Sequence, residues 1–166
     1  MPRFAEVQHT QWIAAPVALV RAQFADLDHH IRTNVHPKLR FEVLERRPDG
    51  ARFVQVVKLL GLRQRDVFER CFDSDGTMTD RSVEGFNAGG TLVFRFVPQA
   101  QAGRAGTRVE ITIRLPLPPL IGPLLRPLLE SQIRKEVTAA ALEDRADIEQ
   151  RGYPRASAMP VLAAAA

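Results

Sequence analysis

The stretch TRVEITIRLPLPPLIGPLLRPLLESQIRKEVTAAALEDRADI, residues 107–148, decides the fold of this chain. Apolar and polar side chains alternate over 107–115, which is typical of a strand with one buried and one solvated face. From about Leu124 the apolar residues recur every three to four positions, as in an amphipathic helix. Gly152 and Pro154 are the signals that end this helix. The stretch therefore predicts a strand followed by a long C-terminal helix.

Upstream of this stretch the two-residue period recurs in several short runs. We predict one helix between Pro16 and Pro37, and strands at 4–13, 39–44, 52–60, 63–72, 77–85, 91–97 and 107–115. Strands joined by short turns pair antiparallel, and a sheet with one wet face must bury the other. The apolar stripe of the C-terminal helix is the largest surface available for this. We therefore predict an α+β domain in which a curved seven-stranded antiparallel sheet wraps around the long C-terminal helix.

Composition narrows the class of protein. The length of 166 residues suits one domain, which we place at 1–153, followed by a low-complexity tail at 154–166. The net charge is +4, but the basic residues are interleaved with acidic ones, unlike the basic patch of a nucleic-acid binder. The apolar run 115–129 is broken by prolines and is too short to span a bilayer. A lone cysteine, Cys71, and the lack of a signal-peptide pattern predict a cytoplasmic protein.

The connections at one end of the predicted sheet are unusually apolar. Residues 59–62, 85–90 and 115–124 all fall at this end, and His36 precedes the strand that starts there. Connections normally run over the surface and are polar, so these segments need an explanation. Small-molecule sites are concave, largely apolar and lined by a few polar groups. We interpret the apolar end as the mouth of a ligand cavity.

Several local motifs carry a family resemblance. They are APV at 15–17 with DLD at 26–28, VEG at 83–85 with GGT at 89–91, FRF at 94–96, GTRV at 106–109 and LEDR at 142–145. In these motifs and in the order of its elements the chain resembles the START/Bet v 1-like superfamily, specifically its bacterial polyketide cyclase/dehydrase and lipid-transport branch. The resemblance implies a helix-grip fold with a deep cavity between sheet and C-terminal helix. It also implies that this cavity accepts lipid-like or aromatic molecules.

The leading hypothesis is a protein that binds or carries a hydrophobic small molecule, without a cofactor and without nucleic acid as a partner. The oligomeric state stays open. We expect two groups of residues to contact the ligand. Those near the mouth of the cavity are His36, Leu59, Leu62, Phe86 and Asn87. Those deeper in the cavity are Phe94, Phe96, Ile111, Ile113, Ile133 and Val137.

Two alternatives remain at this stage. The first is a cyclase or dehydratase in which His36 or a strand carboxylate moves protons; an imidazole suits this role because it titrates near neutral pH. The second is a module that docks to a membrane or a protein through the apolar connections. Asp26, His29 and His30 are also close enough in sequence to be candidate metal ligands, although such residues near a helix end are more often caps or surface groups.

Overall fold

The computed structural model describes residues 4–154, so the tail prediction falls almost entirely outside the described residues. The strands are β1 (Phe4–Ile13), β2 (Arg40–Arg47), β3 (Gly50–Leu59), β4 (Leu62–Phe72), β5 (Met78–Gly85), β6 (Thr91–Pro98) and β7 (Thr107–Pro116). The helices are α1 (Val17–Ala25), α2 (Leu27–Thr33) and α3 (Gly122–Glu149). No helix within this range is long and apolar enough to cross a membrane.

The seven strands form one antiparallel sheet in the order β1-β7-β6-β5-β4-β3-β2. The α+β class, the seven-stranded sheet and the long C-terminal helix are confirmed. The first strand, β1, pairs with the last strand, β7: Phe4 lies opposite Pro116 and Ile13 opposite Thr107. Register shifts between Val43 and Glu45 and between Val67 and Phe68 mark bulges, which bend strands and increase their twist.

The prediction of one helix between Pro16 and Pro37 is wrong. The chain makes two helices there, because Asp26 leaves the helical conformation and its side chain accepts a hydrogen bond from the backbone N–H of His29. Asp26 therefore ends α1 and caps α2, as an aspartate at a helix N-terminus commonly does. Asn34 ends α2 in the left-handed conformation, with a φ of 50°. The break turns two histidines of α2 toward the interior.

The core lies between the concave face of the sheet and one stripe of α3. Leu129, Ile133, Val137, Ala141 and Ile148 of this stripe are buried, in agreement with the three-to-four spacing of apolar residues. Asp147 is charged, yet its side chain is fully buried. It is buried because it faces a histidine of α2 at hydrogen-bond distance.

The inward face of the middle strands could not be read from the sequence. In the structure Asp66 of β4 is buried, whereas Arg63, Arg65, Arg81 and Glu84 are exposed. Buried polar side chains on these strands line up on the concave side of the sheet; they are Gln64, Asp66, Arg70, Asp80 and Ser82. The concave face is therefore apolar on β1, β6 and β7 and partly polar on β4 and β5.

Candidate functional site

A cavity of about 160 Å³ lies between the sheet and α3. Most of its wall is hydrocarbon from strands β3, β5, β6 and β7 and from α3. Its apolar lining includes Phe24, Val57, Leu59, Met78, Leu92, Phe94, Ile111, Ile113, Leu115, Ile133, Val137 and Ala140. Lys38 and Glu136 also line it, and the Lys38 side chain is largely exposed, so the cavity meets solvent on this side. The position agrees with the cavity expected between sheet and helix.

The residues expected to contact a ligand do not all reach this cavity. His36, Leu59, Asn87, Phe94, Ile111, Ile113, Ile133 and Val137 line it. Phe96 instead packs edge to face on Phe24, with ring centroids 5.5 Å apart. Leu62 and Phe86 are mostly exposed and are not among the lining residues. Leu62 lies at the edge of the tight β3–β4 turn, which Leu60 and Gly61 form with positive φ, and it is exposed although it pairs with the buried Leu59.

The apolar end of the sheet is exposed in part. Leu59 and Leu115 are buried in the core, and Leu117 packs against it. Leu120 and Leu124, by contrast, are 95% and 83% exposed. The connections at this end thus both cover the core and present apolar side chains to solvent.

One wall of the cavity is ionisable. His30 from α2, His36 from the α2–β2 connection, and Glu143 and Asp144 from α3 all line it. Asp144 Oδ1 lies 3.0 Å from His30 Nε2 and 3.3 Å from His36 Nε2. The other ring nitrogen of His36, Nδ1, lies 2.8 Å from Glu143 Oε2. Two segments more than 100 residues apart in sequence, 30–36 and 143–144, therefore meet in one polar cluster, which we call the His-Asp cluster (His30, His36, Glu143 and Asp144).

The charges of this cluster stabilise one another. Burial alone would lower the pKa of His36, but the Asp144 and Glu143 carboxylates outweigh it and raise that pKa to about 9. Burial alone would raise the pKa of Asp144, but His36 and His30 hold it well below its usual range. In the metal-free protein at neutral pH, His36 is therefore an imidazolium and Asp144 a carboxylate.

The cluster continues away from the cavity into a buried network. Gln23 of α1 donates from Nε2 to Asp144 Oδ1 at 3.0 Å and lies 3.3 Å from Asp147 Oδ2. His29 Nε2 lies 2.6 Å from Asp147 Oδ2. Asp26 receives a hydrogen bond from the Tyr153 hydroxyl at 3.2 Å. Burial and the neighbouring carboxylates Asp26 and Asp147 raise the pKa of Tyr153 to about 12, so its hydroxyl keeps its proton.

The candidate metal ligands Asp26, His29 and His30 are not brought together. The Asp26 carboxylate caps α2 and receives the Tyr153 hydroxyl, and His29 pairs with Asp147. Among residues 4–154 the group of potential ligands that does converge is His30, His36 and Asp144. The sequence contained one signal for it: Asp144 falls seven residues after Val137, on the apolar stripe of α3, where an acid requires a buried partner.

Two further polar contacts border the cavity. Arg70 forms a two-pronged ion pair with Asp80, at 2.7 and 2.8 Å, and donates to the backbone oxygen of Phe24 at the end of α1. Asp66 accepts hydrogen bonds from the backbone N–H and the side-chain amide of Asn87, at 2.6 and 2.8 Å. The first contact ties α1 to the sheet, and the second holds the β5–β6 connection against it.

No protein-family model matches the chain, and no curated protein matches it significantly. Several solved structures do match the chain. The protein TTHA0849 from Thermus thermophilus is 25% identical with a TM-score of 0.74, over 87% of this chain and 99% of that one. A START superfamily protein from Mycobacterium smegmatis is 18% identical with a TM-score of 0.68, over 86% and 97%. The Zhui aromatase/cyclase from a Streptomyces species is 19% identical with a TM-score of 0.69, over 90% and 98%.

These likenesses span nearly the whole length of each solved protein, so they concern the complete architecture rather than one motif. They share with this chain a sheet that grips a C-terminal helix. The chain accordingly has the helix-grip fold of the START/Bet v 1-like superfamily.

Proposed function

We propose that the protein binds a small hydrophobic molecule that carries a polar group. The observation that carries this proposal is a cavity whose lining is hydrocarbon on most sides and ionisable on one, at the His-Asp cluster. Burial of the apolar part of a ligand contributes about 25 cal/mol per Å² before the costs of association. A polar group on the ligand faces the His-Asp cluster, which fixes its orientation.

The size of the cavity limits the ligand. A volume of about 160 Å³ is close to that of an engineered cavity of ~150 Å³ that accepts benzene. A single aromatic ring or a short branched chain fits this space directly. A lipid-like or multi-ring molecule requires the connections near Lys38 and Leu39 to move apart, or part of the ligand to remain in solvent. The START and aromatase/cyclase proteins of the same fold support a hydrophobic class of ligand without identifying it.

The first experiment is native mass spectrometry of the freshly purified protein, followed by organic extraction of whatever co-purifies. Ala140→Phe places a ring in the cavity, because Ala140 lines it on α3. Leu142→Phe on the same helix is the matched control, because Leu142 is half exposed and outside the lining. We expect a defined adduct on the wild type and on Leu142→Phe that is lost on Ala140→Phe. An adduct retained by Ala140→Phe would contradict binding in this cavity.

A second candidate function is catalysis of the cyclase or dehydratase type. It is favoured by an ionisable side chain inside the cavity with a displaced pKa, that of His36. At neutral pH this side chain is protonated and suits a general acid that donates to a carbonyl or leaving hydroxyl oxygen. The test is to incubate the extracted ligand with wild type and with His36→Gln and to follow its mass. Conversion by wild type alone supports catalysis, and recovery of unchanged ligand from both contradicts it.

A third candidate is docking to an anionic membrane. The exposed leucines Leu120 and Leu124 favour it, together with a groove lined by Lys38, Arg40, Lys58 and Arg63. Exposed apolar side chains and a basic groove on one protein suit a surface of negatively charged lipid headgroups. Co-sedimentation with vesicles containing phosphatidylserine, compared with neutral phosphatidylcholine vesicles, tests it. Binding that Leu124→Asp abolishes supports docking, and no binding to either vesicle contradicts it.

A further inference from the structure

We propose that His30, His36 and Asp144 form a binding site for one divalent transition-metal ion, of the Zn²⁺ or Fe²⁺ class, in the wall of the cavity. All three side chains are buried, and one ligand atom from each lies within 4.8 Å of the others. Two imidazoles and a carboxylate are a ligand set that such ions favour. The site goes beyond the proposed ligand binding and does not depend on it.

The hydrogen bond on the far side of His30 leaves its inner nitrogen free to bind a metal. His30 Nδ1 lies 2.7 Å from the backbone oxygen of Asp26. A carbonyl oxygen only accepts, so Nδ1 carries the proton. In the neutral ring Nε2 then presents its lone pair, and it does so toward Asp144 Oδ1, 3.0 Å away. The Gln23 amide donates to this Asp144 oxygen and lies 3.5 Å from His30 Nε2, but it bonds the nitrogen only at the limit of hydrogen-bond distance. A metal ion between His30 Nε2 and Asp144 Oδ1 would use both lone pairs fully.

His36 repeats the arrangement with a different outer partner. Its Nδ1 lies 2.8 Å from Glu143 Oε2, and its Nε2 faces the same Asp144 Oδ1. In many zinc sites a ligating histidine donates a hydrogen bond from its other ring nitrogen to a carboxylate. The carboxylate thereby fixes the tautomer and orients the ring. Both histidines therefore present Nε2 to one point and hold it there through their opposite nitrogens.

The separations match the edges of a coordination shell. Zinc–nitrogen and zinc–oxygen bonds of about 2.0 to 2.1 Å place neighbouring ligand atoms of a tetrahedron about 3.3 Å apart. The distances from Asp144 Oδ1 to the two Nε2 atoms are 3.0 and 3.3 Å. A metal ion between these atoms requires only small shifts of the Asp144 side chain relative to the two rings. The two imidazole nitrogens lie within 4.8 Å of each other, so a shared ion also requires the rings to move closer together.

The charges of the side chains around the proposed site are compatible with a divalent cation. Asp144 and Glu143 together supply two negative charges, which match one divalent cation when both rings are neutral. With three protein ligands, at least one coordination position remains, and it faces the cavity that all three residues line. A bound ion would thus contact the polar group of a ligand or a water molecule. The competing arrangement is a metal-free ion network in which the His36 imidazolium pairs with the two carboxylates.

The test is a titration of the EDTA-treated full-length protein with Co²⁺, followed by visible absorption, with displacement of Co²⁺ by Zn²⁺. We expect one equivalent to bind with the intense bands of a low-symmetry site. Asp144→Asn should lower the affinity by more than about 100-fold, and Glu143→Gln by about 10- to 100-fold because it acts through His36. Glu143 is partly exposed, so this variant keeps a folded protein if Asp144→Asn does not.

Two histidine variants are the controls. His29→Gln should retain Co²⁺ affinity, because His29 pairs with Asp147 outside the proposed site, and His9→Gln on β1 should retain it as well. Absence of a saturable spectrum at stoichiometric Co²⁺ would overturn the proposal and leave the ion network as the role of the cluster. Binding that survives both His36→Gln and Asp144→Asn would also overturn it. Either result leaves the ligand adduct in native mass spectrometry unaffected, so the two proposals fail separately.

Discussion

The buried imidazole of His36 predicts a protein whose stability falls as the pH rises through the neutral range. In the metal-free protein, Asp144 and Glu143 of α3 face this ring, and the tilted ring of His30 of α2 lies beside it with ring centroids 5.0 Å apart. The folded-state pKa is raised to about 9 from 6.5 in the unfolded chain. A group whose pKa is raised on folding contributes its full stability below the unfolded value. That contribution is lost as the pH rises through the folded value.

The magnitude follows from the size of the shift. At 1.36 kcal/mol per pKa unit, the shift of His36 corresponds to about 3 kcal/mol of unfolding free energy below pH 6.5. About half is lost near pH 7.8, midway between the two pKa values, and nearly all above pH 9.5. Asp144 stays ionised across this window, since its own pKa is held low. The assay is urea unfolding of EDTA-treated wild type and His36→Gln at pH 5.5, 7, 8, 9 and 10.

The quantity to plot is the wild-type unfolding free energy minus that of His36→Gln. It should fall by about 3 kcal/mol from the lowest to the highest pH. His9→Gln is the control of opposite sign, because burial lowers the pKa of His9, so the corresponding difference should rise or stay level with pH. A difference for His36→Gln that is flat over this range would refute an imidazolium held between two carboxylates.

Two further predictions concern stability alone. Asp80→Ala leaves the buried Arg70 guanidinium without its carboxylate partner and should lower the free energy of unfolding, measured in urea, by about 3 to 5 kcal/mol. Arg70→Met combined with Asp80→Leu should lower it by less, because no unpaired charge stays buried. A larger loss in the double variant would contradict this reasoning. Gly85→Ala should destabilise more than Gly89→Ala, although both positions have positive φ: a Cβ at Gly85 would collide with the backbone oxygen of Arg65, whereas nothing lies within 4 Å of a Cβ at Gly89. Equal melting temperatures for the two glycine variants would show that the close contact relaxes without cost.

The sequence predicts the sheet and α3 because their physical signals are local. Alternation over β7 and the three-to-four spacing on α3 each depend on residues a few positions apart, and each survives in the structure. The division between α1 and α2 was missed because the apolar spacing continues through it. Only the capping contact of Asp26 with the His29 amide separates the two helices. A cap of this kind has the same composition as an ordinary helix surface, so pattern alone does not reveal it.

Only part of the His-Asp cluster was predictable from the sequence. His36 was identified from its position at the apolar end, but its partners were not, because they lie more than 100 residues away on α3. Pairing across that distance depends on the exact rotation of α3 against the sheet. The orientation of Leu62 and Phe86 also depends on the fold: both were expected at the mouth of the cavity, but both are exposed to solvent. A sequence states that a connection is apolar, whereas only the fold decides which of its side chains turn inward.

The existence of the cavity is itself an argument about what the chain is built for. The hydrocarbon walls of this solvent-connected cavity are apolar surface that the domain does not bury against itself. Collapse of the sheet onto α3 would bury these walls but would also press Asp66, Asp80 and Asp144 against hydrocarbon. Separating buried carboxylates from their hydrogen-bond partners is costly, which opposes such a collapse. A ligand with an apolar body and a polar group, with or without a metal ion on Asp144, would bury the apolar walls while leaving those contacts in place.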